Sequence, residues 1–209
     1  MTPRGKTASG PPRGMLSSML AAHHRFTFDE YLRVEEDSGT KHEFVAGQVF
    51  AMSGGTPEHA GLTANIMRLL GNALSSKPCR VYSPDLRVRV EATGLGTYAD
   101  VTIVCGRLEL DPEDAKQHTA LNPKVLVEVL SPSTEDYDRG EKLGNYKQIP
   151  SLEEVLLVAH DRQEVEIVRR EPDGTWSRQI AASGDSARLS SLDCELKVSE
   201  IYRNPLATP

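Results

Sequence analysis

The sequence is poor in cysteine. It has only Cys79, Cys105 and Cys194 in 209 residues, an odd number, far apart and with no CxxC pair. That pattern argues against a disulfide-stapled scaffold and against a structural zinc site. A chain of this length buries enough surface to fold without either. A reducing, cytoplasmic setting is the expectation. Long apolar runs are also missing. No stretch approaches the roughly 18 residues of a membrane span. The first residues are basic, but no apolar core of a signal peptide follows them. Several catalytic signatures are absent as well. There is no HxH or HExxH, no GxSxG elbow, and Ser53-Gly54-Gly55 is followed by no GKS or GKT. No internal repeat is found.

Charge is unevenly spread. The net charge is −6, with 24 basic and 30 acidic residues. Residues 1–25 hold Arg4, Lys6, Arg13 and Arg25 and no acid, so the rest of the chain carries −10. Such a body is a poor generic binder of nucleic acid, where phosphate contacts dominate affinity. It suits a cation-binding protein. Residues 1–22, rich in Gly, Pro, Ser and Arg, read as a disordered basic tail, with Met15 and Met19 as alternative starts. Residues 23–209 read as one domain.

Thr27 caps a predicted helix running to about Glu36, ended by Ser38-Gly39. His42 to Met52 predicts a hairpin turning at Ala46-Gly47. Thr56-Pro57 starts the longest helix, with Leu62, Ile66, Leu69, Leu70, Ala73 and Leu74 at helical spacing. Strands are predicted over Arg80–Glu91, Tyr98–Cys105 and Lys124–Leu130, and the last is apolar enough to be covered on both faces. Gly106–Pro123 reads as loop. A helix over Asp138–Gln148, a strand over Val155–Ala159 and a hairpin of Glu164–Arg170 with Thr175–Ala181 follow. The tail is irregular, with an amphipathic piece near Val198–Tyr202. This order predicts a mixed α/β, or α+β, fold: a central mixed sheet flanked by helices, with N- and C-terminal hairpins.

Three residues stand out. Glu128 lies inside an apolar strand and shares a face with Leu126 and Leu130. A carboxylate there needs a partner or a metal. Asp100 stands at the start of a core strand, where it can also be an ordinary turn aspartate. Lys142 falls on one helical stripe with Asp138 and Tyr146, which can also be a solvated face. Taken together, two carboxylates on neighbouring strands can share a divalent cation, and a nearby lysine can orient water or steady a phosphate oxygen. His59 in the first turn of the long helix and Glu43 in the front hairpin are further polar candidates. Asp85 reads as a turn residue.

These stretches, FTFDEYLRVEED, KHEFVAGQVFAMSGGTPEHAGLTANI, DLRV, YADVTIVC and PKVLVEVLSPSTEDYDRGEKLGNYKQIPSLEEVLLV, resemble the Uma family within the PD-(D/E)XK nuclease superfamily. The resemblance covers about residues 26–205 and implies a restriction-endonuclease-like core. It implies that Asp100 and Glu128 bind Mg²⁺ (or Mn²⁺), with the Val129 carbonyl as a third ligand. It further implies that Lys142 is the catalytic lysine, moved onto the following helix, and that Glu43, His59 and Tyr146 support the site. Two departures from the motif are visible: Ala99 replaces the usual proline, and Leu130 stands where the simple pattern has lysine. The implied function is a metal-dependent endonuclease hydrolysing DNA, acting as a homodimer. The alternatives are a nuclease-fold binding or regulatory module without turnover, and a metal hydrolase of another phosphate ester.

Overall fold

The structure, a computed structural model, describes residues 24–204. The expected basic tail of residues 1–22 lies outside the described residues. Helix α1 (Phe28–Asp37) begins with a full capping box: the Thr27 hydroxyl accepts from Glu30 N, and the Glu30 carboxylate accepts from Thr27 N. Its buried face, Phe28, Tyr31 and Leu32, packs on Phe44. Strands β1 (His42–Val45) and β2 (Gln48–Ala51) form the front hairpin, with Ala46 and Gly47 at positive φ in the turn. Helix α2 (Pro57–Ala73) is the longest, capped by Thr56 with Pro57 in its first turn.

Two predicted strands depart from their expected bounds. Arg80–Glu91 becomes β3 (Cys79–Tyr82) and β4 (Arg87–Val90), separated by a turn at Ser83–Leu86. Tyr98–Cys105 starts later than expected, as β6 (Val101–Cys105), and a further strand, β5 (Leu95–Thr97), precedes it. The reason is topological. The chain leaves one sheet after β3, makes the β4–β5 hairpin in another, and returns as β6. Alternation therefore breaks at each crossing. Ala99 packs with Leu126 and Leu130, while Val101 and Ile103 pack on the opposite face. Arg87 is buried. It donates to Tyr98 and Thr119 and pairs with Glu35 and Asp114, tying β4 to α1 and to the segment around β7 (Thr119–Ala120).

Strand β8 (Val125–Val129) lies at the centre, antiparallel to β6 and parallel to β9 (Glu154–Val158). A parallel pair needs a crossover. It is supplied by α3 (Glu135–Tyr137), a π-helical segment (Asp138–Lys142) and α4 (Leu143–Tyr146), in place of the uniform helix predicted from Asp138 to Gln148. Strands β10 (Glu164–Arg170) and β11 (Trp176–Ala182) extend the sheet, giving the order β11-β10-β9-β8-β6-β3. The front sheet runs β2-β1-β5-β4-β7. The tail is more regular than expected. It contains the hairpin of β12 (Ser186–Leu189) with β13 (Cys194–Lys197), then α5 (Val198–Ile201).

Two cores flank the central sheet. Leu62, Ile66 and Leu70 of α2 and the C-terminal hairpin cover Val125, Val127 and Val129. The crossover, through Leu143 and Tyr146, covers Leu126 and Leu130 on the other face. No helix among the described residues is long and apolar enough to cross a membrane.

One expectation is overturned. Cys79 and Cys105 stand opposite each other in the β3–β6 register and form a disulfide, leaving Cys194 free. Spacing along the chain carried no hint of this, because the pairing is created by the antiparallel strands. Purified without reductant and then denatured, the protein is expected to give one titratable thiol per chain, that of Cys194. Three thiols would show that the bridge does not form. Where it forms, its reduction should lower stability by about 3 kcal/mol, since it closes a loop with a sequence separation of 26.

Candidate active site

Strands from both sheets, α2 and the crossover meet at the carboxyl end of β8. Extending the β6–β8 register by one pair places Asp100 opposite Glu128. The Val129 N–H donates to Asp100 Oδ2 at 2.7 Å, which fixes the first carboxylate against the strand bearing the second. Glu128 is only 4% exposed. Its Oε1 accepts from the Tyr146 hydroxyl at 2.5 Å and lies 3.0 Å from Lys142 Nζ. Lys142 Nζ is also 3.5 Å from Asp138 Oδ1 and 3.9 Å from Glu43 Oε1. Glu43, from β1, is oriented by the Thr97 hydroxyl, which donates to its Oε1 at 2.6 Å.

The predicted stripe of Asp138, Lys142 and Tyr146 therefore faces the sheet and not water. The π-helical turn widens the backbone within that stripe. Gly140 and Gly144, which lower helix propensity, lie within and just after it.

His59 arrives from the other side. The Thr56 cap holds its backbone N–H at 3.3 Å, and its Nε2 lies 3.2 Å from Asp100 Oδ2. Gly55 is required here, because a Cβ would come within 2.7 Å of His59 Nδ1. The hydrogen bond to Asp100 raises the His59 pKa against the opposing effect of burial, and the Glu128 charge and the Val129 carbonyl add to it. The carbonyl expected as a third metal ligand thus sits beside the His59 ring.

The electrostatics are unbalanced. Glu43, Asp100, Glu128 and Asp138 surround one lysine and one histidine. Burial pushes Glu128 up to about 8, with Asp100 and Asp138 adding to the shift and Lys142 and Tyr146 opposing it. Burial likewise raises Asp138. Lys142 is raised despite its burial, because Glu128, Glu43 and Asp138 favour its charged form. Tyr146 is held neutral by burial and by Glu128.

A hard divalent ion fits this donor set. Asp100 and Glu128 each engage the protein through one oxygen, leaving Asp100 Oδ1 and Glu128 Oε2 without a hydrogen bond among the described residues. Two carboxylates completed by backbone and water are enough for Mg²⁺. No cluster of three His, Cys, Asp or Glu side chains forms a metal site among the described residues, so the fit is to the two-carboxylate kind.

All six predicted residues, Asp100, Glu128, Lys142, Glu43, His59 and Tyr146, are brought into one constellation. Sequence reasoning missed Thr97, whose contact with Glu43 spans 54 positions and has no local signal. It also missed Tyr137, which lies beside Glu43 and whose place next to Asp138 was a usable hint. Asp85 is the turn residue it was read as, bonded to Ser83 and Lys41.

A profile of the Uma2 family, described as "Putative restriction endonuclease", matches residues 28–199. Two Synechocystis proteins are similar over most of their length. Uncharacterized protein slr1290 is 35% identical over 84% of this chain and 90% of its own. Uncharacterized protein sll1609 is 31% identical over 76% and 88%. In fold, the chain is similar to a crystal structure from Anabaena variabilis described as a putative nuclease belonging to DUF820. The TM-score is 0.70 at 14% identity, covering 85% of this chain and 97% of that one. The chain belongs to the Uma2 family and has the fold of that nuclease.

Glu128 sets a pH test. A carboxyl raised by folding contributes stability that is complete below its unfolded value, near 4.5, and is lost as pH rises through about 8. Glu128→Gln removes that titration. In EDTA, the Tm of the wild type is expected to fall relative to that of Glu128→Gln from about pH 5 to pH 8. Parallel melting profiles over this range would contradict the assignment.

Proposed function

We propose that this chain is a metal-dependent endonuclease that hydrolyses DNA phosphodiester bonds, with Asp100 and Glu128 as metal ligands and Lys142 as the catalytic lysine. The observation that carries this reading is their convergence from a strand entrance, a strand and a crossover helix into one cluster with surplus negative charge. A divalent ion bound there would supply an activated water and offset the charge that builds on phosphate in the transition state.

The remaining roles follow from the contacts. Lys142 stays protonated, so it acts as a hydrogen-bond donor and not as a base. It orients the attacking water and steadies a non-bridging phosphate oxygen. Asp138 and Glu43 hold its ammonium in place, and Thr97 holds Glu43. Tyr146 fixes the Glu128 carboxylate, leaving its other oxygen for the ion. His59 orients Asp100 from the opposite side.

One observation favours a nuclease-fold module without turnover, namely the −10 charge of residues 26–209. The same charge leaves room for a hydrolase of small phosphate esters.

A single assay separates these readings. Supercoiled plasmid, single-stranded DNA and bis(p-nitrophenyl) phosphate are incubated with the protein in Mg²⁺, Mn²⁺ or EDTA. The nuclease reading expects metal-dependent cutting of DNA, reduced by about a hundredfold or more in Asp100→Asn and Lys142→Met. Circular dichroism confirms that the variants fold. Turnover of the small ester alone favours the third reading. Folded protein inactive on all three substrates favours the module.

A further inference from the structure

A groove of about 470 Å³ opens beside the site and shares Glu43 with it. One wall comes from the front hairpin. In the β1–β2 register Glu43 pairs with Phe50, and Val45 with Gln48, so alternation puts all four on one face. The opposite face, Phe44 and Val49, packs on α1. The hairpin's outer face is thus turned entirely to the groove. The second wall is Tyr137 and Glu141 from the start of the crossover.

One feature of this groove has no structural explanation. Phe50 is 49% exposed. Only Ile180, at 59% on β11 in the other sheet, matches it among large hydrophobics of the described residues. The Tyr137 hydroxyl is buried, with the Glu43 carboxylate beside it.

The chemistry of the lining selects the ligand. Phe50, Tyr137 and Val45 offer flat apolar surface. Glu43, Glu141 and the Gln48 amide offer hydrogen-bond acceptors, and the two carboxylates repel a phosphate. Arg25, at the hairpin tip and bonded to the Ala46 carbonyl at 3.4 Å, offers one guanidinium plane. A planar group that donates hydrogen bonds and carries no charge fits these walls, as an amino-bearing nucleobase does.

We propose that this groove receives one unpaired, amino-bearing base of a DNA strand, stacked on Phe50. The proposal rests on the nuclease reading for the identity of the strand, and it adds the part of the substrate that is recognised. A base inside a duplex cannot present its face to Phe50, so the groove selects single-stranded or locally unpaired DNA.

The test is fluorescence anisotropy with the full chain in EDTA, where no strand is cut. The probes are short oligodeoxycytidine, oligothymidine and an abasic strand with the same phosphates. Oligodeoxycytidine should bind most tightly, because cytosine has an exocyclic amine and thymine does not. Phe50→Ala should weaken that binding by roughly tenfold, and Phe50→Trp should restore it. Phe50 is exposed, so neither change disturbs the core. The proposal is overturned if the abasic strand binds as tightly as oligodeoxycytidine, if Phe50→Ala binds like wild type, or if the wild type binds no strand. Failure of the nuclease reading looks different. In that case base-dependent binding through Phe50 persists while Mg²⁺ or Mn²⁺ produces no cutting. Cutting that requires Lys142 but ignores Phe50 sinks the groove and leaves the nuclease reading intact.

Discussion

The contact between Lys142 and Glu128 constrains everything around it. Both groups are buried, and each favours the charged form of the other. Removing Glu128 takes from the buried ammonium its nearest carboxylate, whereas removing Lys142 takes from Glu128 the charge that opposes its protonation. The pair therefore dictates that the crossover after β8 lie on the Leu126–Leu130 face, with its polar stripe inward. Tyr146 reinforces this by bonding the same carboxylate oxygen that faces the lysine. A purely structural ion pair would be electrically balanced. This one is not, since Asp138, Glu43 and Asp100 add three further carboxylates with only His59 to answer them. A fold that needed only adhesion gains nothing from the surplus, because hydrophobic replacements of similar volume often stabilise as well or better. The surplus makes sense where a cation is to be held.

The rest of the architecture delivers partners to that point. The chain crosses from the central sheet to the front sheet after β3 and returns after β5, and Asp100 sits at the return. The Val129 N–H locks it there. The front hairpin reaches back with Glu43 because β1 pairs with β5 at Phe44–Gly96, where a side chain on Gly96 would strike Phe28 and Tyr31. The α2 cap aims His59 from the other face of the sheet. Each group is thus set by backbone or a capped helix end and not by a long mobile loop, which is what positional precision at a reacting centre requires.

Much of this was legible in the sequence, and the exceptions have physical causes. Capping chemistry revealed α1 and α2 because it is local: Thr27 with Glu30, and Thr56 with Pro57. The apolar run around Glu128 revealed the central strand, and the oddity of a glutamate in it pointed to the site. The i, i+4 spacing of Asp138, Lys142 and Tyr146 was visible, but whether that stripe faced water or the sheet was not. The resemblance of the segment to the family carried more of that inference than periodicity did. Alternation failed at residues 83–86 and 98–100, because a strand that changes sheets keeps its β-like composition across the break. The disulfide and the Thr97–Glu43 bond were invisible for the same reason. Both join positions that only the register of distant strands brings together.

The acidic body remains the feature hardest to reconcile with a nucleic-acid substrate, and the groove beside Glu43 offers a resolution. Affinity for duplex DNA comes largely from phosphate neutralisation, and this chain is badly suited to it. Affinity for an unpaired strand draws instead on stacking, which tolerates a negative protein because the base carries no charge. An acceptor-rich wall that would repel a phosphate is then an asset, since it directs the base inward and leaves the backbone for the site itself. There the divalent ion, and not an arginine cluster, would balance the scissile phosphate. On this argument the negative charge is part of the selectivity. It would weaken binding to paired DNA generally and reserve productive binding for strands that present a base to Phe50 and a phosphate to Asp100 and Glu128 together.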